Sequence, residues 1–93
     1  MAKSIISNER ECYICHTQRD LQRHHIFGGP NRRGSDDDGL WIYLCVDHHT
    51  GNHGVHRDFG LALEIKQMGE RAWIERYGKT REEFIRDYGK NFL

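Results

Sequence analysis

The thirteen residues Leu44 to His56, Leu-Cys-Val-Asp-His-His-Thr-Gly-Asn-His-Gly-Val-His, hold four histidines and a cysteine. That density limits what the chain can fold into, because each buried imidazole brings a polar nitrogen that must find a partner. A core does not need such a run, whereas a metal site does. Size points the same way. The 93 residues suit one domain, and with 37% apolar residues the core is modest, in the range where a structural metal commonly supplements burial. Three cysteines are an odd number and exclude a complete disulfide framework. The N-terminus lacks a charged-then-apolar leader pattern, and no apolar run approaches the roughly 18 to 20 residues of a membrane span. These features point to a cytoplasmic chain with no membrane partner. Net charge is formally zero, so any attraction for nucleic acid must be local.

All seven histidines and all three cysteines fall between Cys12 and His56. Cys12-Tyr-Ile-Cys15 is a C-x-x-C knuckle, and after 29 intervening residues Cys45-Val-Asp-His48 forms a second pair. This is the two-knuckle pattern of a tetrahedral zinc site with one imidazole beside three thiolates. Four protein ligands leave no open position, which makes the zinc structural. His16 and His53 compete with His48 for the fourth place. A redox C-x-x-C needs a βαβ setting, which the surrounding charged and turn residues do not supply.

Between the knuckles, Leu21 to Phe27 and Leu40 to Leu44 read as the strands of a hairpin, with the glycine-rich, charged run Gly28 to Gly39 as its broad loop. Leu40, Ile42 and Leu44 share one face of the second strand, and Trp41 and Tyr43 the other. Asp-His-His-Thr after Cys45 opens a short helix that Gly51 and Gly54 keep brief. Ile5 and Ile6 fit either a short strand or a lid on the core. Asp58 caps a helix from about Phe59 to Tyr77, whose stripe is Leu61, Ile65, Met68, Ala72 and Trp73 and whose end is Gly78. Thr80-Arg-Glu-Glu83 is a capping box for a shorter helix carrying Phe84, Ile85 and Tyr88 and ending at Gly89. Both helices are expected to cover the hairpin, with Trp73 and Tyr77 packing rather than stacking on bases.

The His24-His25-Ile26 run after a C-x-x-C, followed by Leu44-Cys45-x-x-x-His49, resembles the HNH endonucleases of the ββα-metal superfamily, specifically small zinc-stabilised, phage-type members. The likeness spans Cys12 to His56. It implies an α+β fold: a small ββα-metal core with a structural zinc knuckle over residues 12–57, and two C-terminal helices over 58–93. It implies His25 as general base and His24 and His49 as ligands of one catalytic divalent metal, Mg²⁺, Mn²⁺, Ni²⁺ or Zn²⁺. His48 then joins Cys12, Cys15 and Cys45 on the structural zinc. For the third catalytic ligand, an unbroken helix would set His49 and His53 about 6 Å apart along its axis, with His56 about 10.5 Å from His49. The glycines argue against that helix, and the Gly54-Val55-His56 setting, similar to that of the phage-type proteins, favours His56, with His53 the alternative.

The implied activity is hydrolysis of phosphodiester bonds in DNA, double-stranded in the main reading, leaving 5′-phosphate and 3′-hydroxyl ends. A histidine with the ordinary pKa near 6.5 can take a proton from water at neutral pH. Arg23, Arg32, Arg33 and Arg57 are the candidate phosphate contacts, since a guanidinium fork suits phosphate oxygens. The source implied is a phage or prophage, and a homodimer or a phage protein partner is left open. The chain departs from the family at the middle asparagine: Asp36-Asp37-Asp38 stands there, with Asp38 the candidate to accept the backbone hydrogen bonds that order the loop, and Asn31 the only loop asparagine. Adjacent strand residues point to opposite faces, so a bulge or the strand's end must bring His24 and His25 to one phosphate. The alternative is a catalytically silent, zinc-stabilised nucleic-acid-binding or adaptor module. Neutral net charge favours that alternative, and the His24-His25 pair favours the nuclease.

Overall fold

A computed structural model describes residues 2–93. It is a small α+β structure with one two-stranded antiparallel sheet and four helices among the described residues. Strand β1 is Leu21–His25 and strand β2 is Trp41–Cys45, paired from Leu21 opposite Cys45 to His25 opposite Trp41. The period-two pattern read from the sequence is present: Leu40, Ile42 and Leu44 are buried to 1% exposure or less, and Trp41 on the other face is buried as well. Both faces of β2 are therefore covered.

The connection between the strands is more ordered than the broad loop expected from its glycines. Gly29–Asn31 forms a 3₁₀ turn and runs into helix α1, Arg32–Asp37. Ser35 on α1 is fully buried; its hydroxyl accepts from the Phe27 N–H at 3.3 Å and donates to the Leu40 carbonyl at 2.5 Å. It ties the chain leaving β1 to the chain entering β2. The loop-ordering role expected of Asp38 thus falls to Ser35, a hydroxyl that can both accept and donate where a carboxylate only accepts. Asp38 reaches the other way. Its carboxylate accepts from Trp73 Nε1 at 2.9 Å and the Tyr88 hydroxyl at 2.6 Å, and its carbonyl accepts from the Tyr77 hydroxyl at 2.8 Å. Burial, then that carboxylate, pushes the Tyr88 phenol up, so it remains a donor. Asn31 also faces this side, donating to the Tyr88 carbonyl at 2.9 Å.

Helix α2, Val46–His49, follows β2 directly. Helix α3, Phe59–Tyr77, starts at Asp58, whose side chain accepts from the Leu61 N–H, and ends at Gly78. Helix α4, Arg81–Tyr88, carries the full Thr80/Glu83 capping box and ends at Gly89. Ile65 and Trp73 from α3 and Phe84 and Tyr88 from α4 join Ile26, Phe27, Leu40, Ile42 and Leu44 in the core. Ile85, expected on the buried side of α4, is 39% exposed, because only Phe84 and Tyr88, four residues apart, share the inward stripe. Ile5 and Ile6 pack on the core as a lid, with the Ile5 N–H bonded to the Gly39 carbonyl at 2.9 Å. Gly39 permits this through its left-handed backbone, φ +73°, which leaves no room for a Cβ beside the Lys3 carbonyl. No helix among the described residues is long and apolar enough to cross a membrane.

Candidate metal centres

The first knuckle, between the N-terminal segment and β1, meets the end of β2 and the start of α2. Cys12, Cys15, Cys45 and His48 come together as a Cys₃His group with all four ligand atoms within 4.8 Å of one another. Cys15 Sγ to Cys45 Sγ is 3.8 Å, Cys12 Sγ to His48 Nδ1 is 3.8 Å, and Cys45 Sγ to His48 Nδ1 is 3.2 Å. A tetrahedron with zinc–sulfur bonds of about 2.3 Å and a zinc–nitrogen bond of about 2.0 Å has edges of about 3.5 to 3.8 Å, so the group is placed to bind a metal of zinc's size. Burial pushes the Cys12 thiol up, but the Cys15, Cys45 and Ile14 N–H groups and the Cys15 thiol outweigh it and bring it down to about 6. Burial raises Cys45, and the neighbouring cysteines add to the rise. A cation would relieve that crowding of thiolates. The other two candidates for the fourth place lie elsewhere: His16 faces Glu11 at 3.4 Å, and His53 Nδ1 lies 3.0 Å from the Asp47 carboxylate.

One residue beyond His48, His49 turns to a second group. His24 on β1, His49 on α2 and His56 in the following turn bring their ligand nitrogens within 4.8 Å of one another. Their rings form a triangle with centroid separations of 5.1, 5.5 and 4.8 Å. The chain reaches this arrangement because α2 stops. The Val55 and His56 N–H groups bond back to the His48 and His49 carbonyls, at 3.0 and 3.3 Å, which folds His56 over His49. Gly54 makes that possible: a Cβ there would collide with the His49 carbonyl. His56, not His53, therefore stands beside His24 and His49.

Burial and neighbouring charge favour the neutral form of His24 and His49. Burial, reinforced by His49, His56, His25 and Lys66, lowers His24 to about 3. Burial followed by His56 and His25 lowers His49 as well. Neutral imidazoles offer the lone pairs that a cation takes. His49 is also fixed in orientation, since its Nδ1 lies 2.6 Å from Gln22 Oε1. An amide oxygen only accepts, so Nδ1 carries the proton and Nε2 keeps its lone pair.

His24 and His25 occupy opposite faces of β1, with His24 opposite Ile42 and His25 opposite Trp41 and no bulge in the pairing. Yet His25 is the last strand residue, and both histidines line one open cleft of about 320 Å³ with Arg23, Gly28, Gly29, Arg32, His49 and His56. The strand's end reconciles them. His25 Nε2 lies 2.7 Å from Asp36 Oδ1, a contact between two buried atoms whose direction is not that of a hydrogen bond. Arg23 is held with its guanidinium 3.8 Å above the Trp41 ring. Arg33 and Arg57 are exposed and are not among the residues that line the cleft, so of the four arginines only Arg23 and Arg32 lie with the histidines. An adjoining cavity of about 170 Å³ is lined by His24, His25, His56, Val55, Ala62 and Lys66, among others.

Three of these residues lie outside the sequence-based expectation. Gln22 carried a legible signal, standing two residues before His24 on the same strand face. Asp36 carried little, because its position depends on a helix that the glycines of the loop argued against. Lys66 carried none, since nothing in a helical stripe says which polar neighbour meets another element. No protein-family model, curated protein or solved structure matches the chain.

Proposed function

We propose that the chain is a metal-dependent DNA endonuclease of the HNH type, built on a ββα-metal core whose second metal site is His24, His49 and His56. The observation that carries this reading is the joint lining of one cleft by the three-histidine group, a fourth histidine with a carboxylate behind it, and two arginines. A purely structural metal site requires none of the last three. Three imidazoles fit a borderline divalent ion with open positions for other ligands. Bound there, such an ion would supply Lewis-acid stabilisation of the charge that develops on the leaving oxygen.

The remaining steps belong to the protein. His25 is the base: Asp36 beside Nε2 favours the proton on that nitrogen and leaves the Nδ1 lone pair to take a proton from the attacking water. Asp36 also limits rotation of the ring, and an alignment that is imperfect in the free protein commonly tightens when substrate is present. Arg23, clamped on Trp41, and Arg32, at the start of α1, both line the cleft and offer planar donors to phosphate oxygens. Gly28 and Gly29 leave the cleft floor without side chains, so a sugar-phosphate strand can approach the backbone closely.

Plasmid nicking tests the reading. Zinc-loaded protein is incubated with supercoiled DNA and Mg²⁺, Mn²⁺, Ni²⁺ or Zn²⁺ in turn, beside His25→Ala. Cleavage with at least one metal, lost in His25→Ala, is the expected result. Cleavage that survives His25→Ala removes His25 as base, and no cleavage with any metal leaves the zinc-stabilised adaptor as the better reading.

A further inference from the structure

Helix α3 does more than cover the core. It begins beyond the histidine turn, and Ala62 and Lys66, four residues apart and so on one side of the helix, line the cavity beside His24, His25 and His56. Ala62 is short and leaves the space open. Lys66 brings a charge into it. Among the described residues no carboxylate lies within ion-pairing distance of the Lys66 ammonium, so its charge is uncompensated beside three imidazoles.

The C-terminal tail packs beside that charge. The Phe92 N–H donates to Glu70 Oε1 at 2.8 Å, and Gln67 Nε2 donates to the Phe92 carbonyl at 3.0 Å. Glu70 is fully buried, and its backbone bond spends a carboxylate inside the protein on holding the tail. The ring of Phe92 packs against Phe27, with centroids 5.3 Å apart, and Lys66 Nζ lies 5.5 Å from its centre. An ammonium at that distance from an aromatic face is weakly attracted to it. A lysine that lines a cavity and has no carboxylate within ion-pairing distance is suited to an anion.

We infer that Lys66 is a phosphate-binding residue of the cavity adjoining the cleft: α3, packed against the C-terminal tail, supplies an ammonium that contacts a non-bridging oxygen of a substrate phosphate beside His24, His25 and His56. This rests on the nuclease reading for the identity of the anion. The contact is ionic and moves no atoms or electrons. It adds a cation from α3 to those that Arg23 and Arg32 bring to the neighbouring cleft, which shares His24, His25 and His56 with this cavity.

The test is the salt dependence of DNA binding, measured by fluorescence anisotropy on a short duplex in the His25→Ala background, where the DNA stays intact. Lys66→Met keeps the aliphatic stem on Phe92 and removes the charge; Lys66→Arg keeps the charge. Each phosphate contact contributes about 0.9 to the slope of log K against log salt on duplex DNA. The expected result is a slope shallower by about 0.9 in Lys66→Met with affinity down about tenfold at low salt, and a wild-type slope in Lys66→Arg. Lys66→Gln serves in its place should Lys66→Met fail to give the wild-type melting curve. An unchanged slope in the uncharged variant, an equal loss in Lys66→Arg, or no salt-dependent binding at all overturns the assignment. Because nothing is cleaved, the outcome is independent of turnover. Failure to nick with the slope change present removes the nuclease and keeps Lys66, whereas nicking without the slope change does the opposite.

Discussion

His48 and His49 are neighbours in α2, and each turns toward a different group. His48 completes a set of four with three thiols, two of them buried, at edge lengths that a tetrahedral ion fills. His49 completes a set of three imidazoles at the mouth of a cleft, with a fourth histidine, a carboxylate and two arginines around it. An ion enclosed by four protein atoms has no position left for substrate, and its binding energy goes into joining chain segments. An ion on three leaves positions open. The contrast shows how one short helix can contribute to two groups at once: His48 turns back to the cysteines and His49, the next residue, turns to His24 and His56.

Variants can break this contrast, and the largest effect belongs to the closed group. Cys45→Ser should remove the zinc and abolish the cooperative melt, because structural zinc contributes on the order of 10 kcal/mol in small domains, comparable to the total stability expected of a domain this size. A zinc-free protein that melts like wild type would refute the structural role. Next is His25→Ala, where nicking should fall by about 10² to 10⁴-fold, the usual worth of a general base, while zinc content and melting stay unchanged. Gln22→Leu should weaken divalent-metal binding at the three histidines by about 10 to 100-fold through loss of the His49 orientation, and leave the Cys₃His zinc in place.

A smaller effect is expected from pH. His24 is neutral in the fold down to about 3, whereas an unfolded histidine titrates near 6.5. On acidification the unfolded chain takes up the proton first, so the stability present above about pH 6.5 declines as pH falls toward 3. Melting temperatures of zinc-loaded protein without a second metal should therefore drop between pH 7 and 5.5, and drop less in His24→Ala. An equal drop in that variant would assign the sensitivity to another group. The smallest effect belongs to His53→Ala, which removes only an exposed pair with Asp47 and should alter stability by about 0.5 kcal/mol or less, with both metals retained.

Local signals carried much of the fold. The Asp58 cap, the Thr80/Glu83 capping box and both terminating glycines are written in short-range patterns, and the structure has them at those residues; the two strands are present with bounds shifted by one or two residues, Leu21–His25 and Trp41–Cys45. The Cys₃His group was legible for the same reason, since knuckle spacing is a local property. The helix α1 was not, because two glycines and a proline precede it and its order depends on a buried Ser35 bridging both strands. Glu70 was equally hidden: a carboxylate on a helical stripe reads as solvated until the tail closes over it. The turn that brings His56 to His49 was half legible, with Gly54 marking the break and only the folded chain showing the direction it takes.

The most direct measurement uses the two adjacent histidines. Metal content is counted by native mass spectrometry, and melting and plasmid nicking are followed, for wild type, His48→Ala and His49→Ala. His48→Ala should lose the zinc and the cooperative melt; His49→Ala should keep both, lose the second metal and lose nicking. Equal losses in the two variants would mean that the histidines serve one ion, and would contradict the division of the site in two.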